Sequence, residues 1–166
     1  ERSSWSDKVV NTNWDVIVHT GALTHVDRCE DNPELSYHLT VKSAENMSSF
    51  ANQTGALLIY ISTDYIFDGK CGPYTESETP NPINIYGQHK LEAEKLVIAL
   101  LSNYLILRIT NVYGSELRNK NFLARTVAQI KSNKELSITA PIDQYATPIN
   151  AHDVAKAIYM LICDSK

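Results

Sequence analysis

Two neighbouring segments decide the fold of this chain: Ile61–Gly69 (ISTDYIFDG) and Tyr86–Lys90 (YGQHK). The first begins at the end of an apolar run, residues 56–61, whose composition is typical of a buried strand. The second leads into residues 91–101, where apolar side chains recur with the spacing of an amphipathic helix. The pattern therefore predicts that hydroxyl groups at the end of a strand face the first turn of a helix.

Tyr86 and Lys90 are four residues apart, so their side chains share one helix face. A phenol has an ordinary pKa of about 10, and a neighbouring ammonium group favours the phenolate. We therefore expect Lys90 to lower the pKa of Tyr86 into the range of a useful proton donor. A hydroxyl from Thr63 or Ser62 would hydrogen-bond the same substrate oxygen. Such a site suits reduction of a carbonyl, with the hydride coming from a cofactor because no side chain supplies one.

The Ser/Thr and Tyr-x-x-x-Lys constellation resembles that of the short-chain dehydrogenase/reductase superfamily, in its extended branch that modifies nucleotide sugars. Tyr-x-x-x-Lys alone is common by chance, but Ser62–Gly69 and Pro82–Gly87 flank it at the expected distance. Within that branch the chain most resembles the dTDP-4-dehydrorhamnose reductases and the regulatory β subunits of methionine adenosyltransferases. The resemblance runs from Asp15 to about Leu161.

This resemblance implies that the full-length parent protein is an NAD(P)-dependent oxidoreductase that reduces a nucleotide-activated 4-keto sugar, with NADP or NAD as its cofactor. Tyr86 would donate the proton and also contact the cofactor, and Thr63 would orient the carbonyl. Lys90 would tune Tyr86 and bind the nicotinamide ribose. Two alternatives stay open. One is a non-catalytic regulatory subunit like the methionine adenosyltransferase β subunit, and the other is a nucleotide-sugar epimerase or dehydratase.

The order of the elements predicts an α/β fold, a Rossmann-like parallel sheet with helices on both faces. Strands are expected at residues 15–19, 56–61 and 104–109, with Arg108 anchoring the end of the last. A helix is expected at residues 33–52, begun by Asn32–Pro33 and ended by Gly55, and much of its buried face comes from Leu35, Leu39, Met47, Phe50 and Ala51. Later in the chain we expect a helix at residues 121–132 with Phe122, Leu123, Val127 and Ile130 on one side, a short strand at residues 136–139 and a last helix from Asn150 or His152. His89 is expected at an exposed helical position. Ligands of such sheets bind beyond the carboxyl ends of the strands. There the resemblance implies that one turn packs along the cofactor. Its residues are Gly21, Ala22, Leu23 and Thr24.

The resemblance also implies a substrate side, to which residues of about 115–148 contribute. Thr63, Asp64, Asn111 and Gln144 are its expected substrate contacts, and a turn-stabilising role for Asp64 is an equal alternative. The reductases tend to have tryptophan at the position of Asn111, whereas asparagine is more typical of epimerases and dehydratases. The identity of the sugar and of the net reaction therefore stays open.

The chain lacks the Gly-x-x-Gly-x-x-Gly turn with which the family binds the cofactor pyrophosphate. We therefore expect residues 1–166 to be a partial NAD(P)-binding domain, without the N-terminal strands of the sheet and without part of the C-terminal substrate lobe. On this expectation the fragment itself binds a dinucleotide weakly or not at all and is inactive.

Composition narrows the classes of partner. A net charge of -4 and a pI of about 5.7 give no indication of a nucleic-acid or anionic-membrane partner, and no apolar run is long enough to span a membrane. Three scattered cysteines predict free thiols in the cytoplasm, and the five histidines lack ligand spacing, so no metal site is expected. The expected partners are a nucleotide-sugar substrate and either a second copy of the chain or a partner enzyme.

Overall fold

The structure is a computed structural model that describes residues 12–115, 121–132, 138 and 146–164. The chain divides into two units, residues 1–108 and residues 109–166. A three-stranded sheet forms the centre of the first unit, and the second unit holds a two-stranded sheet. None of the described helices has the length and apolar character of a membrane span.

The main sheet has the strand order β1-β2-β3, with β1 at Val16–His19, β2 at Leu57–Thr63 and β3 at Tyr104–Ile109. β1 and β2 are parallel, in a register that places His19 opposite Tyr60. Apolar residues fill β2 because it lies between two other strands and is covered by helices. The predicted strands and the Rossmann-like α/β class are confirmed.

Helices connect the strands of the first unit. Asn32 begins one of them by accepting a 2.9 Å hydrogen bond from the backbone N–H of Leu35, and proline follows at its first position. Gly55 ends another in the left-handed conformation, at φ 73°. The helices are α1 at Val26–Asp31, α2 at Pro33–Tyr37, α3 at Ser43–Thr54 and α4 at Ile85–Leu100.

A π-helical turn at His38–Lys42 joins α2 to α3, where the sequence predicted one regular helix over residues 33–52. The wider turn shifts the residues that follow around the helix axis. Leu39, which the regular period assigned to the buried face, is therefore 45% exposed, while Thr40 and Val41 are fully buried. The helix was predicted correctly, but its buried face was predicted wrongly at this point.

The core of the first unit forms where α3 and α4 pack on the sheet. Small side chains on the helices allow close approach to the larger residues of β2, and four half-buried side chains complete the packing. The buried members are Ala44, Ala51, Leu58, Tyr60, Ala93, Val97 and Leu101, and the half-buried ones are Ile17, Met47, Tyr104 and Ile106.

In the second unit, β4 at Val112–Tyr113 pairs in parallel with β5 at Ile149–Asn150. Two helices, α5 at Phe122–Lys131 and α6 at Ala151–Asp164, agree with the predicted helices of this region. The apolar side chains predicted to form the buried face of α5 are 41–55% exposed: Phe122, Leu123, Val127 and Ile130. A predicted strand at residues 136–139 lies outside the described residues apart from residue 138.

Candidate active site at the carboxyl end of the central strand

β2 ends at Thr63, where the chain turns into a short 3₁₀ helix at Asp64–Ile66. The Thr63 hydroxyl accepts a 3.2 Å hydrogen bond from the backbone N–H of Tyr65 and donates one of 3.2 Å to a carboxylate oxygen of Asp64. The side chain of Thr63 is thereby fixed at the strand end. Asp64 takes part in the turn, as one of its two expected roles required, and burial raises the pKa of its carboxyl group.

The start of α4 is fixed by two side-chain acceptors. Asn84 accepts a 2.8 Å hydrogen bond from the backbone N–H of Gly87, and Glu30 accepts one of 2.7 Å from that of Ile85. These carbonyl and carboxylate oxygens satisfy N–H groups that have no partner within the helix. The first turn of α4, which carries Tyr86, is therefore held in place from both sides.

Tyr86 lies close to the hydroxyl of Thr63, as the sequence predicted. The Tyr86 ring also packs edge-on against Tyr65, with 5.6 Å between the ring centroids. Burial raises the pKa of Tyr86, and the neighbouring Thr63 hydroxyl opposes that rise only in part. Tyr86 therefore keeps its proton at neutral pH.

Lys90 is 3% exposed and donates a 2.6 Å hydrogen bond from Nζ to the backbone carbonyl oxygen of Ile61. Its ammonium group also lies over the ring of Tyr60, 4.2 Å from the centroid. Burial lowers the pKa of Lys90 to about 8, against the opposing charge of Glu94.

The expected lowering of the pKa of Tyr86 by Lys90 is wrong for this structure. Burial is the largest influence on the pKa of Tyr86 and raises it, and Lys90 is not among the main causes of the shift. The physical reason is that the ammonium group is directed at the Ile61 carbonyl and the Tyr60 ring. Sharing a helix face with Tyr86 was not enough to bring the charge onto the phenol.

The four residues expected to line the cofactor follow β1 but differ in environment. Gly21 and Thr24 are exposed and Ala22 is half-buried. Leu23 is instead 8% exposed, and its backbone N–H donates a 3.3 Å hydrogen bond to the Thr40 hydroxyl. The side chain of Leu23 therefore belongs to the core, and the other three residues remain candidates for ligand contact.

Two local features fit a ligand that carries hydroxyl groups, such as the ribose of a dinucleotide. The hydroxyl of Ser62 is buried at the end of β2 and has no hydrogen-bond partner among the described residues. At Gly21, a β-carbon would lie only 3.1 Å from Cε1 of His19, so the absent side chain keeps this turn open. A buried hydroxyl without a partner is costly, and a ligand could satisfy it.

Four residues around Tyr86 and Lys90 were not predicted from the sequence: His19, Cys29, Glu30 and Tyr60. His89, taken for an exposed helical position, is half-buried and bonds through Nδ1 to the Ser36 hydroxyl at 2.8 Å. Alternation along β2 could have shown that Tyr60 faces away from its neighbours Ile59 and Ile61. The contacts of Glu30 and His89 join residues 55 and 53 positions apart, which no local pattern reveals.

Of the substrate contacts expected in the second unit, Asn111 is exposed, and its backbone carbonyl accepts a 3.0 Å hydrogen bond from the N–H of Ile149. Gln144 lies outside the described residues. Among the residues that the structure describes, no cluster of histidine, cysteine and acidic side chains could hold a metal ion.

Comparison with curated proteins gives two kinds of relative. The dTDP-4-dehydrorhamnose reductase of Salmonella typhimurium is 37% identical over 142 residues, which are 85% of this chain and 46% of that protein. The methionine adenosyltransferase 2 subunit beta of Xenopus tropicalis is 42% identical over 99 residues, 60% of this chain and 30% of that protein. The chain thus spans about half of such a reductase and less than a third of such a β subunit.

Solved structures of dTDP-4-dehydrorhamnose reductases have a fold similar to that of this chain. The Bacillus anthracis dTDP-4-dehydrorhamnose reductase in complex with NADP has a TM-score of 0.82 at 36% identity, covering 89% of this chain and 52% of that chain. The Yersinia enterocolitica enzyme has a TM-score of 0.85 at 28% identity, covering 100% and 61%. The family model described as the RmlD substrate binding domain matches residues 1–166. The chain therefore belongs to the RmlD substrate binding domain family.

Proposed function

We propose that the protein reduces a nucleotide-activated 4-keto sugar with NADPH or NADH, as the similarity to dTDP-4-dehydrorhamnose reductases suggests. The observation that carries this proposal is the proximity of the Thr63 hydroxyl to the Tyr86 phenol at the carboxyl end of β2. A carbonyl oxygen bound there would accept from Tyr86, and from Thr63 once the Thr63 hydroxyl turned from the Asp64 carboxylate to the substrate.

In this reaction the substrate carbonyl becomes an alcohol. A bound reduced nicotinamide would supply the hydride to the carbonyl carbon. Tyr86 would give its phenolic proton to the oxygen and recover one from water. The raised pKa of Tyr86 suits this direction, because a proton donor must be protonated at working pH. Thr63 would hold the carbonyl oxygen beside that phenol.

The chain's own contributions to cofactor binding would come from the turn after β1 and from α4. Gly21, Ala22 and Thr24 would present backbone and small side chains to the dinucleotide. Lys90 uses one of its three N–H donors on the Ile61 carbonyl, so two remain for ribose hydroxyls. Asn111, Gln144 and the segment of about 115–148 would serve the sugar nucleotide. Free cysteines fit a reducing compartment, and we place the protein in the cytoplasm.

A regulatory subunit is the second candidate, favoured by the 42% identity over 99 residues to a methionine adenosyltransferase β subunit. In that role Tyr86 and Thr63 would be retained without turnover, and the protein would bind a partner enzyme. Epimerisation or dehydration is a third candidate, which Asn111 alone favours. It would regenerate the cofactor within each cycle.

Two assays of the purified full-length protein separate the three candidates. The first is incubation with a dTDP-4-keto-6-deoxy sugar and NADPH or NADH, followed by absorbance and product analysis, and the second is binding to a methionine adenosyltransferase. Reduction predicts loss of reduced nicotinamide in equal amount to the alcohol formed. Changed sugar without net loss of reduced nicotinamide would indicate epimerisation or dehydration. No turnover, together with a stoichiometric complex with a methionine adenosyltransferase, would favour the regulatory role. Tyr159→Phe, which alters a 69% exposed phenol, is the matched control for phenol substitutions.

A further inference from the structure

Tyr60 is a fully buried residue of β2 whose hydroxyl has no hydrogen-bond partner among the described residues. Burying a hydroxyl without a partner destabilises a protein, and phenylalanine would avoid that cost. What Tyr60 contributes must therefore come from its ring. The ring makes two contacts that an aliphatic side chain could not make, one with an ammonium group and one with an imidazole.

The ammonium group is that of Lys90, 4.2 Å from the centroid of the Tyr60 ring. Lys90 is 3% exposed, so water supplies little of the stabilisation that its charge needs. The nearby carboxylate of Glu94 raises the pKa of Lys90 but is itself paired with Arg108 at 2.8 Å. A cation–π contact is strongest where the cation is desolvated, which makes the Tyr60 ring a substantial partner.

The imidazole is that of His19, which stacks on the Tyr60 ring with centroids 5.8 Å apart and planes at 29°. His19 is held in turn by Ser43, whose Oγ lies 3.2 Å from Nε2. The Ser43 hydroxyl donates its only hydrogen to the backbone carbonyl of Leu39 at 2.7 Å. Nε2 of His19 must therefore be the donor to Ser43, which fixes the tautomer and the orientation of the ring.

His19 is also neutral. Burial and, to a smaller extent, the charge of Lys90 together lower its pKa to about 4. The absence of a side chain at Gly21 leaves room for the imidazole at the end of β1. A neutral, oriented ring therefore supports one side of Tyr60 while the ammonium of Lys90 lies against the same phenol ring.

We propose that Tyr60 is a positioning residue for Lys90: its ring, supported by His19, keeps the ammonium group charged and directed at the Ile61 carbonyl. The proposal rests on the proposed function only in assigning Lys90 to the active site. Among the described residues, the charged and titratable groups around Lys90 include His19 from β1, Tyr60 from β2, and Tyr86 and Glu94 from α4 itself. Of these, the ring of Tyr60 is the one that a single substitution tests without changing any charge.

The test measures the pKa of Lys90 by NMR of lysine labelled with ¹³C at Cε, with Lys90→Met to assign the signal. Tyr60→Phe keeps the ring and should leave that pKa near 8, whereas Tyr60→Leu should lower it by about one pH unit. The backbone amide signal of Ser62, whose nitrogen is bonded to the Ile61 carbonyl carbon, should change in Tyr60→Leu and in Lys90→Met alike, but not in Tyr60→Phe. Equal values in all three Tyr60 forms, or a rise in Tyr60→Leu, would overturn the proposal.

The contribution of His19 is tested by a double-mutant cycle with His19→Leu. If His19 acts through the ring, His19→Leu lowers the pKa of Lys90 in the wild-type background and has no further effect in Tyr60→Leu. Additive effects would overturn that part of the proposal. Tyr60→Phe also serves as the control for misfolding, because it removes only a hydroxyl that has no partner among the described residues. None of these readouts needs a substrate, so their failure is distinguishable from failure of the proposed reduction.

Discussion

Gly87 lies directly against the backbone carbonyl of Tyr65, so close that a β-carbon at Gly87 would overlap the carbonyl oxygen. The same β-carbon would lie 3.0 Å from Cβ of Pro82. This contact lets the first turn of α4 approach the turn that follows β2. It thereby brings Tyr86, the residue before Gly87, close to Thr63.

Replacing Gly87 by alanine should therefore destabilise the protein, although the same change in a free helix stabilises it by about 1 kcal/mol. The overlap is with backbone, so the helix start must move, at a cost of about 1–3 kcal/mol. Chemical denaturation measures the loss. Gln88→Ala, at the next and exposed position of α4, is the matched control. A Gly87→Ala protein at least as stable as the wild type would show that the contact is not tight.

A buried ion pair joins α4 to β3. Glu94 is 1% exposed and accepts hydrogen bonds of 3.1 and 2.8 Å from Arg108, in agreement with the expectation that Arg108 anchors the strand end. Arg108→Met should reduce the free energy of unfolding by about 3 kcal/mol, because it leaves a buried carboxylate without its partner.

Replacing both members of that pair with methionine should restore part of the lost stability, since no unpaired charge then remains. Denaturant unfolding of the two single variants and the double variant measures this. Lys42→Met breaks an exposed pair of similar length, 2.7 Å to Glu45, and should change stability little. Equal losses of stability in Arg108→Met and Lys42→Met would contradict the role assigned to burial.

Asp68 organises the loop between β2 and α4. It accepts hydrogen bonds from the Tyr74 hydroxyl at 2.6 Å, the Lys70 N–H at 3.1 Å and Asn81 Nδ2 at 3.0 Å. These bonds, that from Tyr74 foremost, lower the pKa of Asp68 to about 2. Because the unfolded carboxyl group titrates near 3.8, the stabilisation is present above that pH and is lost as pH falls towards 2.

Carboxyl ¹³C NMR should show Asp68 titrating well below ordinary aspartates, and Tyr74→Phe should raise the pKa of Asp68. This substitution removes only the Tyr74 hydroxyl, whose hydrogen bond is the largest cause of the lowered pKa of Asp68. An unchanged pKa in Tyr74→Phe would mean that the hydrogen bond does not form in solution.

His19 predicts a further pH dependence. The pKa of His19 is about 4 in the folded protein, whereas an ordinary histidine has a pKa of 6.5. As pH falls, the unfolded chain therefore binds the proton before the folded protein does. Stability should therefore be full above pH 6.5 and decline towards pH 4, by at most about 3 kcal/mol from this residue. Denaturation at a series of pH values measures the slope.

The control variants separate His19 from other histidines. His19→Gln should flatten the slope between pH 6.5 and 4, while His152→Gln, on the exposed side of α6, should not. Part of the slope should survive in His19→Gln, because burial lowers the pKa of His89 as well. An identical slope in wild type and His19→Gln would contradict a neutral, buried His19.

Local sequence patterns were sufficient to predict the helices and strands of the first unit and the proximity of Thr63 and Tyr86. The apolar run before Thr63 and the helical spacing after Tyr86 place those two residues at the facing ends of a strand and a helix. Gly55 and Asn32 gave correct helix ends because each is the residue type that such an end requires.

Long-range contacts and irregular turns were not predictable in the same way. The π turn at His38–Lys42 has no simple residue signature, and it reversed the environment of Leu39. The direction of the Lys90 ammonium depends on Tyr60 and on the Ile61 carbonyl, which lie on a strand about thirty positions earlier. Helical spacing predicts which side chains share a helix face, but the groups that pack against that face determine where a charge points and which pKa it shifts.

We expect Tyr86 to protonate a carbonyl oxygen held by Thr63, and the decisive measurement is single-turnover reduction of the keto sugar by the Tyr86→Phe variant of the full-length protein. The rate should fall by about 10²–10⁴-fold while dinucleotide affinity stays within a factor of about two, because the ring and its packing against Tyr65 remain. Tyr159→Phe should match the wild type. A Tyr86→Phe protein that reduces the sugar at the wild-type rate would contradict the account.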